Sequence, residues 1–344
     1  MGRARPAGIK DVADAAGVSV GTVSNVINRP ESVTDATRRR VLNAITRLGY
    51  VRSESARQLR AGSSRMLGLL VLDMANPFFV AVAAGAERSA RDAGLGVMVC
   101  DSAESTEEEA AYLTIFSEQR VRGVLVSPAD TTGKTLDVLR RHEIPFVSVD
   151  RVVPSENGCS VAVDDVTGGE LAVRHLLQAG HRRLAYVSGP MHLAQCQERR
   201  DGALAALAAA GLPPTALRHI EAARLDVASG RDAGARLLGA QPRPTAVFCA
   251  NDLLALGVLQ ALYDAGVRVP EDTALVGYDD IEFAAAAAVP LTSVRQPATR
   301  LGALAAGLLI EETGARASAH RHRRIVLEPE LVVRASSLPH RRRA

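Results

Sequence analysis

Several residues that could bind a small molecule follow short apolar runs in this 344-residue chain. Each run has the length and composition of a buried strand, and open α/β sheets bind their ligands at the carboxyl ends of the strands. Carboxylates there can accept hydrogen bonds from hydroxyl groups, guanidinium and amide groups can donate them, and aromatic rings can cover the C–H face of a pyranose. The residues concerned are Asp73, Asn76, Phe78, Phe79, Ser127, Asp150, Arg151, Arg199, Asn251 and Asp279.

Six of these residues also have an ordinary structural role open to them. The alternatives are a turn at Asn76-Pro77, a helix core at Phe78 and Phe79, a helix cap at Asn251 or Asp252, a turn at Asp279-Asp280, and a surface ion pair between Arg199 and Glu198 or Asp201. The residue types therefore indicate a polar ligand site without excluding these simpler roles.

The elements that would position these residues begin near Met66, where short apolar strands alternate with amphipathic helices. This alternation predicts right-handed βαβ crossovers and parallel sheets covered by helices on both faces. One series has strands at 68–72, 97–100, 123–126 and 146–149 and helices at 78–93, 107–120 and 135–141. After a strand at 161–163, a second series has strands at 184–188, 246–249 and 274–277 and helices at 168–179, 198–210, 229–238 and 253–265. Two series of similar size predict two lobes.

A further helix is expected at 301–309, and 324–333 is strand-like with Pro329 inside, so an edge strand or a bulge is expected there.

A different pattern occupies residues 9–62. A short helix is predicted at about 10–16, Gly17 suits a tight turn, and Ser19 can cap a second helix. Apolar residues close a small core between the two helices and leave the start of the second helix facing outward. This is the arrangement of a helix-turn-helix, whose second helix lies in the major groove of DNA. The residues expected to contact DNA in this part are Ser19, Val20, Gly21, Thr22, Ser24, Asn25 and Asn28.

A third helix is predicted between Thr34, a good N-cap, and Gly49, a C-terminal stop. Arg38, Arg39 and Arg40 lie in its first half, where they suit phosphate contacts, although a solvated helix face is nearly as good an interpretation. The segment 53–62 that follows is polar and too short to be a stable helix in water without partners.

These motifs closely resemble the headpiece of the lactose-repressor family (LacI/GalR type). The matching residues are Ala13-x-x-Ala16-Gly17-Val18-Ser19-x-x-Thr22-Val23-Ser24-x-Val26, Thr37-Arg38, Leu48-Gly49-Tyr50 and Ala56-x-x-Leu59. The resemblance implies a DNA-binding headpiece at 1–52, contacts from Tyr50 and Arg57, and a hinge helix at 53–62 whose Leu59 wedges into the minor groove. Packing of Leu59 against the next domain is the simpler alternative. The chain has Arg52 and Ser53 where the family usually has proline and asparagine, which puts the stiffness of the hinge entry in doubt.

The resemblance extends through nearly the whole chain and implies a two-lobed sensor like a periplasmic sugar-binding protein. By analogy the chain crosses between lobes near 164–166, 291–296 and 320–326, which gives one lobe of 63–164 plus 295–322 and another of 165–294 plus 323–344. Asp150, Arg199, Asn251 and Asp279 match polyol-binding positions of the family, and Gln296 near a crossover joins the expected ligand site. The fold class expected is therefore α/β, with a three-helix headpiece, a hinge helix and two parallel βαβ lobes.

Two departures argue against transferring the sugar of any particular relative. Leu225 stands where some sugar-responsive relatives carry a stacking aromatic residue, and Ala298 is small where others are bulky. The chain also has no tryptophan.

The charge distribution agrees with a nucleic-acid-binding module joined to a different body. Residues 1–62 carry 11 Lys and Arg against 5 Asp and Glu, a net charge of +6, whereas the remainder carries 30 against 33, a net of −3. None of the four cysteines forms a C-x-x-C pair or has a histidine at zinc-ligand spacing, so reduced, packed thiols and no metal or cofactor are expected. The N-terminus lacks an apolar signal region and no run of about 18 apolar residues occurs, so a soluble cytoplasmic protein is expected.

Enzymatic functions are poorly supported by the sequence. It contains no Gly-x-Gly-x-x-Gly opening a helix, no Walker motif and no Gly-x-Ser-x-Gly elbow, and the possible glycosidase pair Asp150 and Asp279 is equally suited to binding a sugar. The sequence predicts a homodimeric transcriptional regulator, most simply a repressor, that binds a pseudo-palindromic operator under the control of a small ligand. The alternatives are a solute-binding protein that does not bind DNA, and a regulator driven by a protein co-effector.

Overall fold

The structure is a computed structural model that describes residue 5 and residues 7–51, 64–130, 132–153, 158–315 and 317–338. The chain divides into two compact units, Met1–Ser64 and Arg65–Ala344. The predicted hinge helix, with Arg57 and Leu59, lies outside the described residues.

The described residues of the first unit form three α-helices, which confirms the predicted headpiece architecture. They are α1 (Ile9–Ala16), α2 (Val20–Asn28) and α3 (Asp35–Leu48). The backbone of Gly17 has a φ of 62°, a left-handed conformation that glycine adopts without steric cost, and this turn redirects the chain from α1 into α2. The Ser19 side chain accepts a hydrogen bond from the Thr22 N–H at 3.1 Å and so caps α2 as predicted.

The core of this unit is small and aliphatic. Val12 of α1, Val23 and Val26 of α2, and Val41 and Ala44 of α3 are buried together. The three helices therefore fix one another by side-chain packing, which leaves the polar side of α2 exposed.

The second unit alternates strands with helices, as the sequence predicts. Its elements are β1 (Met66–Val71), α4 (Pro77–Asp92), β2 (Gly96–Asp101), α5 (Thr106–Glu118), β3 (Gly123–Val126), α6 (Asp137–Arg141), β4 (Phe146–Val149), β5 (Cys159–Val163), α7 (Asp165–Gln178), β6 (Leu184–Ser188), α8 (Ala194–Ala209), β7 (Leu217–Glu221), α9 (Val227–Leu238), β8 (Ala246–Cys249), α10 (Asp252–Asp264), β9 (Ala274–Asp279), α11 (Glu282–Ala286), β10 (Thr292–Arg295), α12 (Ala298–Thr313), β11 (Arg324–Leu327) and β12 (Glu330–Val332).

These strands form two six-stranded sheets, one in each lobe. The first has the order β11-β5-β4-β3-β1-β2, and the second has the order β12-β10-β9-β8-β6-β7. All pairings are parallel except that of β12 with β10. The central strands are buried on both faces because helices cover both sides of a parallel sheet.

The predicted division of the C-terminal segment between the lobes needs correction. The sequence predicts all of 323–344 in the second lobe and one strand-like segment at 324–333. In the structure, β11 pairs with β5 in the first sheet and β12 pairs with β10 in the second, so the third crossing lies between Leu327 and Glu330. Pro329 lies in this gap, where its missing N–H interrupts no ladder of hydrogen bonds.

A close helix contact explains the spacing of Arg199 and Gly202 in α8. A Cβ atom at Gly202 would collide with the carbonyl oxygen of Val166 in α7, so the absence of a side chain lets the two helices approach closely. Arg199 lies one turn earlier on the same face of α8. This close approach brings its guanidinium to Asp165, the first residue of α7.

Within the described ranges, no helix is both long and apolar enough to cross a membrane.

Candidate functional site

A cavity lies where the carboxyl ends of the strands of the two lobes face each other. The space in it that the centre of a water-sized molecule can occupy is about 30 Å³. Its lining comes from both lobes, as expected for a ligand site of open α/β sheets. The lining residues are Leu72, Asp73, Asn76, Phe78, Phe79, Glu104, Asp150, Gln195, Arg199, Leu225, Asn251, Asp279 and Gln296.

The structure brings nine of the eleven predicted ligand residues into this lining. They are Asp73, Asn76, Phe78, Phe79, Asp150, Arg199, Asn251, Asp279 and Gln296. Ser127 and Arg151 do not line the cavity. Ser127 is fully buried at the end of β3, and a guanidinium nitrogen of Arg151 donates to the carbonyl of Asp130 at 2.9 Å.

Four lining residues were not among the predicted site residues. Leu72 and Glu104 follow β1 and β2, Gln195 lies in the first turn of α8, and Leu225 lies between β7 and α9. Glu104 could have been found by reading the carboxyl end of β2 as the other strands were read. Gln195 carried no such signal because it lies on a helix and not at a strand end.

The first bridge across the cavity centres on Asp279. The amide nitrogen of Asn76, from the first lobe, donates to Oδ2 of Asp279 at 2.9 Å, and that of Gln296 donates to Oδ1 at 2.7 Å. Oδ1 of Asn76 also accepts from the N–H of Phe78 at 3.0 Å and thereby caps α4. The turn role and the cavity role proposed as alternatives for Asn76 are therefore both present.

The second bridge joins Asp150 of the first lobe to Gln195 of the second. The amide nitrogen of Gln195 donates to Oδ2 of Asp150 at 2.9 Å. The backbone φ angles of Asp150 and Asp279 are 63° and 100°, which lie in the left-handed region that non-glycine residues rarely adopt. Strained backbone of this kind concentrates at functional sites, where the surrounding structure holds it in place.

Arg199 is fixed by three contacts inside the second lobe. Its Nε donates to Oδ1 of Asp165 at 2.8 Å, and Nη1 donates to the carbonyl of Ala250 at 2.7 Å. Its guanidinium also lies over the ring of Tyr278, 3.7 Å from the centroid. The expected surface pairing with Glu198 or Asp201 is not what holds Arg199, and its charge is matched by Asp165 before any ligand enters.

Asn251 has a structural role at the edge of the cavity. Its Oδ1 accepts from the N–H of Leu254 at 2.9 Å and caps α10, while Nδ2 donates to the carbonyl of Leu225 at 2.9 Å. The helix-cap interpretation of this residue is therefore correct, and its side chain orders the loop that carries Leu225.

The electrostatics of the cavity are dominated by buried carboxyl groups. Burial and the nearby charge of Asp165 raise the pKa of Asp150 to about 8, although Arg199 and the Gln195 amide oppose this shift. Burial likewise raises the pKa of Asp279 to about 6 against the opposing effect of Arg199 and the two amide donors. Burial is also the main cause that raises the pKa of Asp73 and Glu104, the other two carboxyl groups in the lining.

Two acceptor atoms in the lining have no hydrogen-bond partner among the described residues. They are Oδ1 of Asp150 and Oε1 of Gln296, and both are buried. A buried polar atom left unsatisfied costs about 1–3 kcal/mol, so these atoms favour a ligand that hydrogen-bonds to them. Oε1 of Gln296 can only accept, whereas Oδ1 of Asp150 donates when the carboxyl group is protonated and accepts when it is ionised.

The polar side of α2 forms a second candidate surface, in the first unit. Ser19, Gly21, Asn25 and Asn28 are exposed, while Val20, Thr22, Ser24 and Tyr50 are half-buried. The hydroxyls of Ser19 and Thr22 lie 2.9 Å apart, and the Asn28 amide donates to the carbonyl of Ser24 at 2.8 Å. Gly21, Asn25 and Asn28 recur at helical spacing, so they present one continuous exposed edge.

Comparison with known proteins identifies the family. Residues 8–53 match the family model for bacterial regulatory proteins of the lacI family, and residues 173–337 match a periplasmic binding protein-like domain. The HTH-type transcriptional repressor PurR of Photobacterium profundum is 35% identical over 329 residues, covering 95% of this chain and 98% of the relative. This chain belongs to the lacI family of bacterial regulatory proteins. The PurR repressor of Vibrio cholerae is similar at 36% identity, with coverage of 95% and 96%.

Solved structures of lacI-family proteins share the fold. The transcriptional regulator CelR in complex with cellobiose is 33% identical, with a TM-score of 0.72 and coverage of 96% of this chain and 100% of that chain. The lac repressor dimer bound to operator and the anti-inducer ONPF is 28% identical, with a TM-score of 0.83 and coverage of 97% and 100%.

The family and the two surfaces together establish the general function. This lacI-family protein is a DNA-binding transcriptional regulator controlled by a small ligand, with a helix-turn-helix headpiece and a two-lobed ligand-binding domain. The alternative of a binding protein without a DNA-reading part is excluded. The two PurR relatives, which match over nearly their full length, are repressors by name.

Proposed function

We propose that this regulator acts in the cytoplasm as a homodimeric repressor and that its effector is a neutral, hydroxyl-rich small molecule, most simply a sugar. The observation that carries the proposal is the cavity between the lobes, where aspartates with strained backbone from both sheets and two unpartnered side-chain oxygen atoms converge. Such a site is complementary to a ligand that presents several O–H donors.

The charge of the lining supports a neutral ligand over an anionic one. Four carboxyl groups, those of Asp73, Glu104, Asp150 and Asp279, face the cavity together with one guanidinium, that of Arg199. Because Asp165 already pairs with Arg199, the lining offers no uncompensated positive charge for a phosphate or carboxylate. Placing an anion beside these carboxyl groups would cost electrostatic energy in a poorly solvated cavity.

The apolar part of the lining supports a ring-shaped ligand. Phe78 and Phe79 are packed edge to face with ring centroids 5.0 Å apart, and Leu72 and Leu225 complete the apolar surface. A sugar ring has an apolar C–H face and polar edges, which suits this division. Among the structural relatives, CelR was solved with cellobiose and a regulator from Enterococcus faecium with ribose.

The DNA-binding part of the proposal rests on the exposed edge of α2. In a dimer, two such helices would read half-sites of a pseudo-palindromic operator about one helical turn apart. Ser19, Thr22, Asn25 and Asn28 supply hydrogen-bonding groups, and Gly21 allows the backbone to approach DNA closely. Residues 53–62, including Arg57 and Leu59, would complete the interface as a hinge that folds on the operator. A dimer on an operator is the arrangement reported for the lac repressor.

The coupling between ligand and DNA would work through the bridges across the cavity. Asn76 to Asp279 and Gln195 to Asp150 join the two lobes directly, so a ligand that replaces or strengthens these contacts changes the relative stability of lobe arrangements. An effector controls DNA binding only through such a difference in affinity between states, typically 1–3 kcal/mol.

Titration calorimetry of the full chain tests the proposed ligand class. Glucose, ribose, cellobiose and glucose 6-phosphate form a suitable panel because they vary ring, length and charge. We expect measurable binding for a neutral sugar and none for the phosphorylated one. Binding that requires the phosphate would contradict the charge argument. Operator binding that no small molecule changes would instead favour a regulator driven by a protein co-effector.

A further inference from the structure

A cluster of metal-ligand side chains lies in the first lobe, away from the ligand cavity. Cys159 begins β5, Glu312 lies in the last turn of α12, and His320 precedes β11. One ligand atom from each lies within 4.8 Å of those of the other two. No local sequence pattern marks this group, because 161 positions separate the cysteine from the histidine.

The distances suit a tetrahedral metal centre. Sγ of Cys159 is 3.2 Å from Nε2 of His320, and that nitrogen is 3.8 Å from Oε2 of Glu312. Around a zinc ion with ligand bonds of 2.0–2.3 Å, tetrahedral ligand atoms are separated by roughly 3.3–3.8 Å. The side chains would therefore need to move only slightly to close around an ion.

A second group of residues surrounds these side chains. Nδ1 of His320 lies 3.9 Å from a carboxylate oxygen of Glu311, and Nε2 of His322 lies 3.2 Å from Oε1 of Glu312. The backbone N–H of Arg323 donates to Sγ of Cys159 at 3.3 Å. Carboxylates behind a histidine and hydrogen bonds behind the remaining ligands are the usual outer contacts of metal centres.

One atom of the cluster lacks a partner that a metal would provide. Oε2 of Glu312 is buried and accepts no hydrogen bond among the described residues. Cys159 is fully buried, and the side chains of His320 and Glu312 are only 4% and 18% exposed. A buried carboxylate oxygen without a donor is costly unless a cation neutralises it.

We propose that Cys159, Glu312 and His320 bind one Zn²⁺ ion, with water or His322 as the fourth ligand. A thiolate, an imidazole and a carboxylate suit a borderline-soft divalent metal such as zinc. The Cys159 thiol releases its proton to solvent as the sulfur–metal bond forms. The nearest cation, Arg323, pairs with Glu311 and so is already neutralised.

The site can be reached from the surface, and its position links three elements of the first lobe. A surface depression lined by Glu311, Ala319, His320, Arg321 and Arg323 opens onto the histidine. A metal there ties the end of α12 to the edge pair β5 and β11, just before the third crossing between the lobes. Metal binding should therefore stabilise the first lobe without entering the ligand cavity.

The test uses the full chain, purified without a polyhistidine tag and freed of metal with a chelator. Co²⁺ is added as a spectroscopic probe, and Zn²⁺ affinity is measured by competition with a chromophoric chelator. We expect a thiolate-to-cobalt charge-transfer band that saturates at one ion per chain, displacement of cobalt by zinc, and a higher melting temperature with zinc.

Two variants locate the site. Cys159→Ser should remove the charge-transfer band, and His320→Ala, near the surface and easier to accommodate, should weaken zinc binding by at least about tenfold. Cys100→Ser and His142→Ala are matched controls away from the cluster and should bind normally. Absence of the band, or unchanged binding by both site variants, would show a hydrogen-bonded cluster only and overturn the proposal. Neither result bears on effector or DNA binding.

Discussion

Asp150 combines several of the features that characterise the cavity between the lobes. It is buried at the end of β4, its backbone is left-handed, its Oδ2 accepts from Gln195 across the lobes, and its Oδ1 has no partner among the described residues. Burial and a nearby charge raise its pKa to about 8. The ligand-free protein therefore carries a protonated carboxyl group at neutral pH, ready to exchange hydrogen bonds with a ligand.

This raised pKa predicts a pH dependence of stability. Between about pH 4 and pH 8 the folded state holds the Asp150 proton and the unfolded state does not, so stability falls as pH rises through this window, by about 1.4 kcal/mol per pH unit at most. Asp150→Asn removes this dependence and keeps a residue that tolerates a positive φ. Urea unfolding without ligand should show the variant gaining stability over the wild type from pH 5 to pH 8.

Asp232 is exposed, so Asp232→Asn is a matched control for this comparison. Its stability in urea should match that of the wild type at both pH 5 and pH 8. If Asp150→Asn and the wild type lose stability in parallel, the side chain of Asp150 is not the group that titrates.

The residues that line the cavity could be predicted from sequence where they follow strand ends. Asp73, Asp150 and Asp279 follow apolar runs directly, and parallel strands bring such ends to one edge of a sheet. Ser127 follows a strand equally well but faces the interior, which the sequence does not encode locally. Gln195 reaches the cavity from a helix, so its position depends on the packing of the lobes.

At the scale of elements, α2 has one buried and one exposed side because Val23 and Val26 pack against α1 and α3. Gly21, Asn25 and Asn28 are thereby fixed on the exposed side, at spacings of four and three. The same alternation made this helix predictable from sequence, since both its cap at Ser19 and its buried valines are local features.

Asn25→Ala tests whether the exposed edge of α2 reads DNA. Asn25 is exposed, so its loss should leave headpiece stability nearly unchanged but weaken operator binding by about 1–3 kcal/mol, the usual value of a base contact. Asn43→Ala, on the exposed side of α3, is the matched control and should bind the operator normally. Fluorescence anisotropy with labelled operator measures both. Equal effects of the two variants would contradict a reading role for α2.

Helix packing in the second unit gives another prediction at this scale. Gly202→Ala should destabilise the protein by about 1–3 kcal/mol, because the new methyl group collides with the carbonyl of Val166 and forces α7 and α8 apart. Gly307→Ala in α12 is the control. Its Cβ would meet nothing within 4 Å, so helix propensity should raise stability by about 0.5–1 kcal/mol. Thermal unfolding distinguishes them, and two changes of the same sign would contradict the packing argument.

The strands β7, β11 and β12 could not be predicted correctly from local sequence patterns. β7 alternates buried Leu217 and Ile220 with charged residues at the edge of its sheet, so it lacks a continuous apolar run. β11 and β12 looked like one strand because the sequence does not show that Pro329 separates two sheets. Both cases depend on long-range pairing, which a local pattern cannot specify.

At the scale of the whole molecule, the chain combines a basic DNA-reading unit with a mildly acidic ligand-binding unit. The family match and the matching architecture of the lac repressor dimer on its operator support this combination. The lobes meet through hydrogen bonds that a ligand can rearrange, and any control of DNA binding requires that the ligand favour one arrangement over another.

The most direct test measures operator affinity with and without effector in the wild type and in Asp279→Ala. The operator is selected from random DNA, and the effector is the sugar that binds best by calorimetry. The wild-type affinity should change about 5- to 150-fold, while Asp279→Ala should keep the ligand-free affinity and lose the response, because Asp279 bridges the cavity but does not belong to the headpiece. A variant that still responds fully, or a folded variant that no longer binds DNA, would contradict control from this cavity.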